Sequence, residues 1–309
     1  MNPFIYILIV VVIALIAALA GIYLYVFYTP NKNQNNDYFL GPDQTEEQHA
    51  RCVALIDKIN STPHERICIK SFDGLKLAGR YFESSKGAPL AIMFHGYRGT
   101  PSRDFSGGSD ICLGMGYNVL IIEERGHCSS EGHTICFGIK ERRDVLSWIE
   151  YALNRFGEDQ EIILVGISMG AATVLMSSGL GLPGNIKGII ADCPYSSPLE
   201  IIEQAGKSLG LPMKLAMPFV RLDAKIIGGF SLTEADAETA VKGVKIPMMI
   251  IHGGADLLVP KEMSEKIAKA NPEYIERHVI PGAGHGMSFL VDTPLYTKYV
   301  KDFCLKVLN

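Results

Sequence analysis

The chain begins with a long segment of apolar positions. Residues 4–28 contain no charged side chain, and a run of roughly 25 such residues is enough for a helix across a hydrocarbon layer of about 30 Å. Aromatic residues stand near both ends of the run, where membrane headgroups would lie: Phe4, Tyr6, Tyr23, Tyr25, Phe27 and Tyr28. We therefore predict a single-pass membrane anchor over residues 1–30, with Pro30 ending the helix.

Two other interpretations of this segment stay open. Ala18-Leu19-Ala20 has the small-x-small form of a signal-peptide cleavage site, although no Lys or Arg precedes the apolar run and the run continues beyond Ala20. The second interpretation is a buried core helix. An all-round apolar helix at a chain end would then need a later helix to pack against, and the sequence does not offer one. An uncleaved anchor is the interpretation we favour.

Polar positions dominate after the anchor and then give way to a regular alternation. Residues 31–48 are rich in Asn, Gln, Asp and Glu, the composition of a solvated linker. Two strand-like runs, 65–72 and 75–82, flank the hairpin signal Asp73-Gly74. Buried strands are then predicted at 90–94, 118–122, 161–165, 188–191, 246–251 and 276–280, with helices at 140–156 and 169–178. Residues 49–309 thus read as one α/β domain with a mostly parallel sheet covered by helices on both faces.

One stretch is too long to be a simple connection between a strand and a helix. Residues 197–244 are predicted to form a helical cap, broken into short pieces by Pro212 and Pro218. The stretch is strongly apolar, with seven side chains that either line an acyl-binding cleft or only pack the cap onto the domain: Leu209, Leu211, Met213, Leu215, Met217, Phe219 and Val220. Contact of the cap with a membrane surface is a further possibility.

Composition and charge narrow the function and the compartment. The net charge of −4 gives no basic footprint, so we expect no nucleic-acid partner. The seven cysteines lack the spacing of a disulfide framework, which favours a reducing compartment. Lys32 and Arg51 follow the anchor, whereas no basic side chain precedes it. The cysteines and the basic residues favour a cytoplasmic catalytic domain; the side of the membrane and the oligomeric state stay open.

The strongest chemical signal is Gly166-Ile167-Ser168-Met169-Gly170, directly after the predicted strand 161–165. Strand, sharp glycine-flanked turn and helix form the pattern of a nucleophile elbow, which exposes the serine hydroxyl above the sheet. The unpaired amides at the start of the following helix suit a developing oxyanion. Ser168 is therefore the predicted nucleophile, and the Met169 amide a predicted oxyanion donor.

A serine hydroxyl needs a histidine base and a carboxylate that holds the histidine in position. His285 follows the strand-like run 276–280 in a glycine-rich loop and is the predicted base, and Asp256 follows the strand 246–251 and is the predicted acid. Asp192, at the end of another strand, is a weaker rival to Asp256. The loop after strand 90–94 should supply the second oxyanion donor, which we assign to the Tyr97 amide, with His95 in a structural role.

With these motifs the chain resembles the α/β-hydrolase superfamily over residues 65–308, and the order Ser168, Asp256, His285 is the one expected for that fold. Residues 123–132 are similar to the Arg-Gly-His-Gly-x-Ser-x-Gly segment of the serine aminopeptidase and prolyl-oligopeptidase-like branch, except that Cys128 replaces a glycine. The branch includes membrane-associated esterase-like members and peptidases. The resemblance therefore implies a serine hydrolase without fixing the bond that it cleaves.

Other chemistry can be drawn from the cysteines and histidines. Four potential zinc ligands lie close together in sequence, but their spacing fits no paired zinc motif: His127, Cys128, His133 and Cys136. Cys193 lies beside Asp192, but its loop holds no histidine, and a small buried thiol is the more common situation. We expect neither a metal nor another cofactor.

Three functions remain at this point. A carboxylesterase or thioesterase acting on small-molecule or lipid-like acyl substrates fits the apolar cap and the membrane anchor. A membrane-tethered, aminopeptidase-like serine peptidase is the alternative, and it would use acidic cap residues such as Glu203, Asp223 and Glu234 to hold a substrate amino terminus. A non-catalytic binding module on the same fold is the third, which the complete set of Ser168 and its partners disfavours.

Overall fold

A computed structural model describes residues 3–29 and 44–308. Helix α1, Pro3–Val26, stands at the N-terminus, and it is the one helix in the described part of the chain that is long and apolar enough to cross a membrane. A membrane anchor and a signal sequence both fit that finding. Pro30 and residues 31–43 of the predicted linker lie outside the described residues.

The centre of the fold is an eight-stranded sheet with the order β1-β2-β4-β3-β5-β6-β7-β8. β1 pairs antiparallel with β2, as the Asp73-Gly74 signal predicts, and β2 pairs antiparallel with β4, while the other neighbours are parallel. The strands are Glu65–Lys70, Lys76–Phe82, Leu90–Phe94, Asn118–Glu123, Ile162–Ile167, Ile186–Asp192, Met248–Gly253 and Ile275–Ile280. The predicted α/β class with a mostly parallel sheet is confirmed.

Helices cover both faces of the sheet. The helices after α1 are numbered α2 to α11 along the described chain: Glu46–Ser61, Pro101–Gly114, Glu141–Phe156, Met169–Ser178, Pro198–Ser208, Met213–Ile226, Ala237–Ala240, Lys261–Ala270, Ser288–Val291 and Thr293–Leu308. Successive residues of a strand point to opposite faces, so Ile92 belongs to the core cluster that contains Trp148 of α4, while Met93 belongs to the one that contains Phe303 of α11. The parallel strands are buried on both sides, which is why they read as continuous apolar runs.

The end of α1 departs from the sequence prediction. The helix stops at Val26, before Pro30, because the next residues are built into the domain. Phe27 is fully buried in the core, and Tyr28 forms an isolated β-bridge with Thr134. Phe27 therefore does not serve as a headgroup-belt residue, since its ring lies inside the protein.

Two predicted boundaries also change. The last three residues of the predicted linker, 46–48, form the first turn of α2, where Thr45 and Gln48 make a reciprocal capping box. In the predicted cap, Pro212 does precede α7, but Pro218 lies inside that helix and does not end it. The cap thus consists of α6, α7 and the short α8.

Candidate active site

Ser168 lies at the sharp turn between β5 and α5. Its backbone φ of 54° is in the left-handed region, and such strain at a non-glycine residue is typical of functional turns. The two flanking glycines are required by close packing: a Cβ on Gly166 would overlap the backbone of Gly170, and a Cβ on Gly170 would overlap the carbonyl oxygen of Phe94. The turn therefore has the geometry that the sequence predicts for a nucleophile elbow.

The structure brings the three predicted catalytic side chains together. His285, in the loop after β8, has its Nε2 atom 2.9 Å from Ser168 Oγ. Its Nδ1 atom is 2.7 Å from Oδ2 of Asp256, which follows β7. The arrangement lets one imidazole nitrogen accept the serine proton while the carboxylate fixes the tautomer through the other.

The Asp256 carboxylate is buried and held from several sides. Its Oδ1 atom accepts hydrogen bonds from the Leu258 and Val259 amides at 3.0 and 2.8 Å. Burial alone would raise the pKa of Asp256, but hydrogen bonds from His252 and His285 outweigh burial and hold that pKa below its usual value. Asp256 thus stays ionised and can stabilise positive charge on His285.

Residues 96–99 in the loop after β3, called the oxyanion loop below, leave one amide available for an oxyanion. Gly96 N–H donates to Oδ2 of buried Asp104 at 2.8 Å, Gly99 N–H donates to the Gly96 carbonyl at 2.9 Å, and Arg98 N–H donates to His127 Nε2 at 3.1 Å. A Cβ on Gly96 would lie 3.4 Å from the Cβ of Ser168, so this loop runs directly beside the nucleophile. Among the amides of residues 96–99, that of Tyr97 remains for a ligand, as does that of Met169 at the start of α5.

His127 has a positioning role that the sequence did not reveal. Because its Nδ1 donates to the Arg125 carbonyl, Nε2 is free to accept from Arg98, whose φ is 50°. Burial, and to a lesser extent the electrostatic effect of the nearby His95, lowers the pKa of His127 to about 3. The ring is therefore neutral at pH 7 and can accept this hydrogen bond. His95 is also fully buried and accepts from the Glu124 amide, consistent with a structural role.

The other candidate groups lie differently. The described residues hold one cluster with metal-ligand proximity, Cys193, Asp256 and His285, so the four potential zinc ligands of residues 127–136 do not come together. Cys193 is fully buried, and burial raises the pKa of its thiol well above the usual value. Asp192 is buried too, and its carboxylate interacts with Tyr296 instead of bonding to His285. Burial raises the pKa of Asp192 to about 6.

Ser168 opens onto an apolar cavity of about 620 Å³, a size typical of small-molecule sites. Tyr97 and Arg98 of the oxyanion loop line it beside the serine. Of the seven cap residues singled out in the sequence, Leu209, Leu211, Met213 and Val220 reach the cavity. The remaining walls come from α1, α6, α7 and the loops after β4, β6 and β7: Ala18, Gly21, Ile22, Tyr25, Val26, Phe137, Tyr195, Ile201, Ile202, Ala205, Gly206, Ala216, Leu258 and Val259.

Comparisons with known proteins agree with this architecture. A family model described as the alpha/beta hydrolase fold matches residues 89–216. Among curated relatives, the uncharacterized protein YqkD of Bacillus subtilis is 26% identical over 194 residues, which make up 62% of this chain and 63% of YqkD. The uncharacterized protein YfhR of Escherichia coli K12 is 27% identical over 246 residues, 77% of this chain and 79% of YfhR.

Two groups of solved structures are similar in fold. The esterase Pf2001 of Pyrococcus furiosus superimposes with a TM-score of 0.65 at 22% identity, covering 82% of this chain and 96% of that one. Est1E of Butyrivibrio proteoclasticus, bound to ferulic acid, gives a TM-score of 0.62 at 23% identity, covering 78% and 99%. At such identities the likeness concerns the fold alone, and the fold predicted from the sequence is confirmed.

Proposed function

We propose that this chain, which has the α/β-hydrolase fold, is a serine hydrolase that cleaves carboxylic ester or thioester bonds of substrates with an apolar acyl group. The observation that carries the proposal is the hydrogen-bonded series Ser168, His285, Asp256, which ends in an apolar cavity at the serine. Such a cavity holds an acyl chain by burial of apolar surface, and the serine hydroxyl reaches the carbonyl carbon at its edge.

The proposed reaction has two halves. Ser168 Oγ attacks the carbonyl carbon while His285 Nε2 takes the hydroxyl proton, and the tetrahedral oxyanion lies between the amides of Tyr97 and Met169. His285 then gives the proton to the leaving alcohol or thiol, and an acyl-serine remains. Water attacks that ester in the same way, with His285 as base, and releases the carboxylic acid and free Ser168. No cofactor enters these steps.

The two amides carry much of the proposed rate enhancement. An oxyanion donor of this kind contributes about 3 kcal/mol in the transition state of acyl transfer. Arg98 N–H donates a hydrogen bond to His127, so the conformation of the loop backbone is fixed before the substrate binds. Such preorganisation avoids a reorganisation cost at the moment of reaction.

The peptidase alternative finds little support around the cavity. Glu203 pairs with Lys207 at 2.7 Å, and Glu234 pairs with Arg142 at 3.0 Å. Asp223 is buried, and none of these three acids lines the cavity that contains Ser168. A substrate amino terminus would therefore find no carboxylate among the described cavity residues.

A fluorophosphonate probe tests the proposed nucleophile directly. We expect labelling of the full-length protein at Ser168, located by peptide mass spectrometry, and loss of labelling in Ser168→Ala. Ser208→Ala, which removes an exposed cap serine, is the matched control and should label like the wild type. Absence of labelling in a folded wild-type protein, or persistence of labelling in Ser168→Ala, would refute the assignment.

Substrate class is tested with one series of acyl donors. Esters and thioesters of increasing chain length are compared with aminoacyl amides at equal concentration. The proposal expects hydrolysis of the esters or thioesters to rise with chain length and to fall by about 10⁴ to 10⁶ in kcat for His285→Ala. Preferred cleavage of aminoacyl amides would support the peptidase instead.

A further inference from the structure

The N-terminal helix forms part of the cavity that holds Ser168. The α1 residues that line it are spaced as one face of a helix: Ala18, Gly21, Ile22, Tyr25 and Val26. The space beside that face is open, because a Cβ on Gly21 would meet no atom within 4 Å. Small residues at positions 18 and 21 thus leave room where larger side chains would fill the cavity.

Three of the five lining residues of α1 fall inside every 20-residue membrane span that this helix can make. Crossing the hydrocarbon takes about 20 residues, and α1 has 24, from Pro3 to Val26. Every 20-residue window in that helix contains residues 7–22. Ala18, Gly21 and Ile22 are therefore at hydrocarbon depth in each of these placements, so the cavity reaches the bilayer.

The surface beside the cavity is also apolar. Helix α7 packs against α1 and exposes a stripe on one side: Leu215, Phe219, Leu222 and Ile226. Outside α1, nine of the eleven exposed large apolar side chains of the described residues lie at 209–227 or 257–258. Such clustering marks a surface that is covered, and the adjoining α1 indicates that lipid covers it.

Basic residues border the apolar stripe. Lys214, Arg221 and Lys225 of α7 are exposed and share another side of the helix. A helix with an apolar stripe beside a basic stripe is suited to lie in the interface of an anionic membrane. The charge pattern agrees with lipid as the partner of this surface.

We propose that the acyl chain of a bilayer lipid enters the cavity sideways, past the Ala18 and Gly21 face of α1, and reaches Ser168 without leaving the membrane. The inference deepens the proposed hydrolase function and rests on it, and it needs α1 to be retained. An acyl chain that moves from lipid into an apolar cavity does not expose its methylenes to water. Exposure to water would cost about 0.8 kcal/mol for each CH₂. A soluble enzyme would have to draw the acyl chain of a membrane lipid through water and would therefore require this free energy.

The test uses photo-crosslinking in the full-length Ser168→Ala protein, so that no substrate is consumed. The protein is placed in phosphatidylcholine vesicles that contain phosphatidylglycerol with a diazirine near the end of one acyl chain. The proposal expects crosslinks on Met213 and Val220, which are only 6% and 3% exposed and face the cavity. Ordinary surrounding lipid reaches neither residue.

Two matched variants of α1 separate cavity entry from surface contact. Ala18→Phe fills the cavity face and should lower the Met213 and Val220 crosslinks at least fivefold. Ala20→Phe adds the same side chain at an exposed position outside the cavity and should leave them within twofold. Equal crosslinks in the two variants, or crosslinks confined to α1 residues 5–16, would overturn the proposal.

Three further outcomes distinguish the membrane route from the hydrolase function. Crosslinking of Met213 by a soluble diazirine-acyl coenzyme A, but not by the vesicle lipid, would overturn the membrane route in favour of a soluble donor. Cavity crosslinks without fluorophosphonate labelling of wild-type Ser168 would support lipid entry and refute the hydrolase function. Labelling of Ser168 without cavity crosslinks would support the hydrolase function and refute lipid entry.

Discussion

Replacing Phe27 with alanine tests whether the chain after α1 is a structural part of the domain. The Phe27 ring is fully buried and makes edge-to-face contacts with Phe137 and Phe230, at centroid distances of 5.9 and 5.6 Å. Phe137 in turn stacks on Tyr97 at 5.2 Å. The substitution therefore leaves a cavity beneath the oxyanion loop.

The expected loss follows from the size of the deleted ring. A buried Phe→Ala change costs about 3–5 kcal/mol, because the transfer free energy of the ring is lost and a cavity remains. For a domain of this size about 2–4 °C of Tm corresponds to 1 kcal/mol, so Tm should fall by roughly 6–20 °C. In protein that is still folded, looser packing of Tyr97 should also lower kcat.

The assay is thermal unfolding of the full-length protein in detergent, followed by the fluorescence of Trp148, the single tryptophan, which lies in the same core as Phe27. Leu24→Ala is the control: it removes a large apolar side chain three residues earlier that is 55% exposed, so its Tm should change by less than about 2 °C. A Phe27→Ala protein whose Tm falls no further than the control would refute the burial of this segment.

Three further predictions concern the site. Asp256→Asn should lower kcat about 10⁴-fold while the protein stays folded, because His285 loses its carboxylate partner; a loss below tenfold would contradict that role. The raised pKa of Asp192, about 6, means that the folded state binds more protons than the unfolded state between pH 4 and 6. The free energy of unfolding should therefore fall as pH rises through that window. In chemical denaturation, Asp192→Asn should be more stable than the wild type by about 3 kcal/mol at pH 8 and should show no difference at pH 4. Gly170→Ala should abolish soluble, probe-reactive protein because its methyl group meets the Phe94 carbonyl, whereas Gly114→Ala, where a Cβ meets nothing within 4 Å, should label normally.

The sequence predicted those features that are encoded locally. Buried parallel strands appear as continuous apolar runs, so most strands and the helix Met169–Ser178 were found close to their observed bounds. The nucleophile elbow can also be recognised locally, because a Cβ on Gly166 would meet the backbone of Gly170 within the same five residues. His285 and Asp256 could be found because parallel strands deliver their carboxyl-terminal loops to the same edge of the sheet.

The features that sequence reasoning missed depend on distant partners. His127 appeared as a possible zinc ligand, and its bond to the Arg98 amide, 29 positions away, has no local signature. In the sequence, Phe27 cannot be distinguished from an aromatic residue at the level of membrane headgroups. Only its contacts with Phe137 and Phe230 show that it belongs to the core. Pro218 predicted a helix end, yet α7 continues through it, because packing against α1 and α6 outweighs one lost backbone hydrogen bond.

Helix α1 and the oxyanion loop share one set of hydrogen bonds. The last carbonyls of a helix have no partners within the helix. Here Tyr97 Oη donates to the Val26 carbonyl at 2.9 Å, and Arg98 donates to the carbonyls of Tyr25 and Tyr28 at 2.8 and 3.1 Å. A guanidinium at a helix C-terminus is also favoured by the helix dipole. Neighbouring residues of one loop bind the end of α1 and carry the proposed oxyanion amide. A shift of α1 relative to the domain must therefore move that amide or break these bonds. The position of the helix is therefore coupled to the chemistry at Ser168.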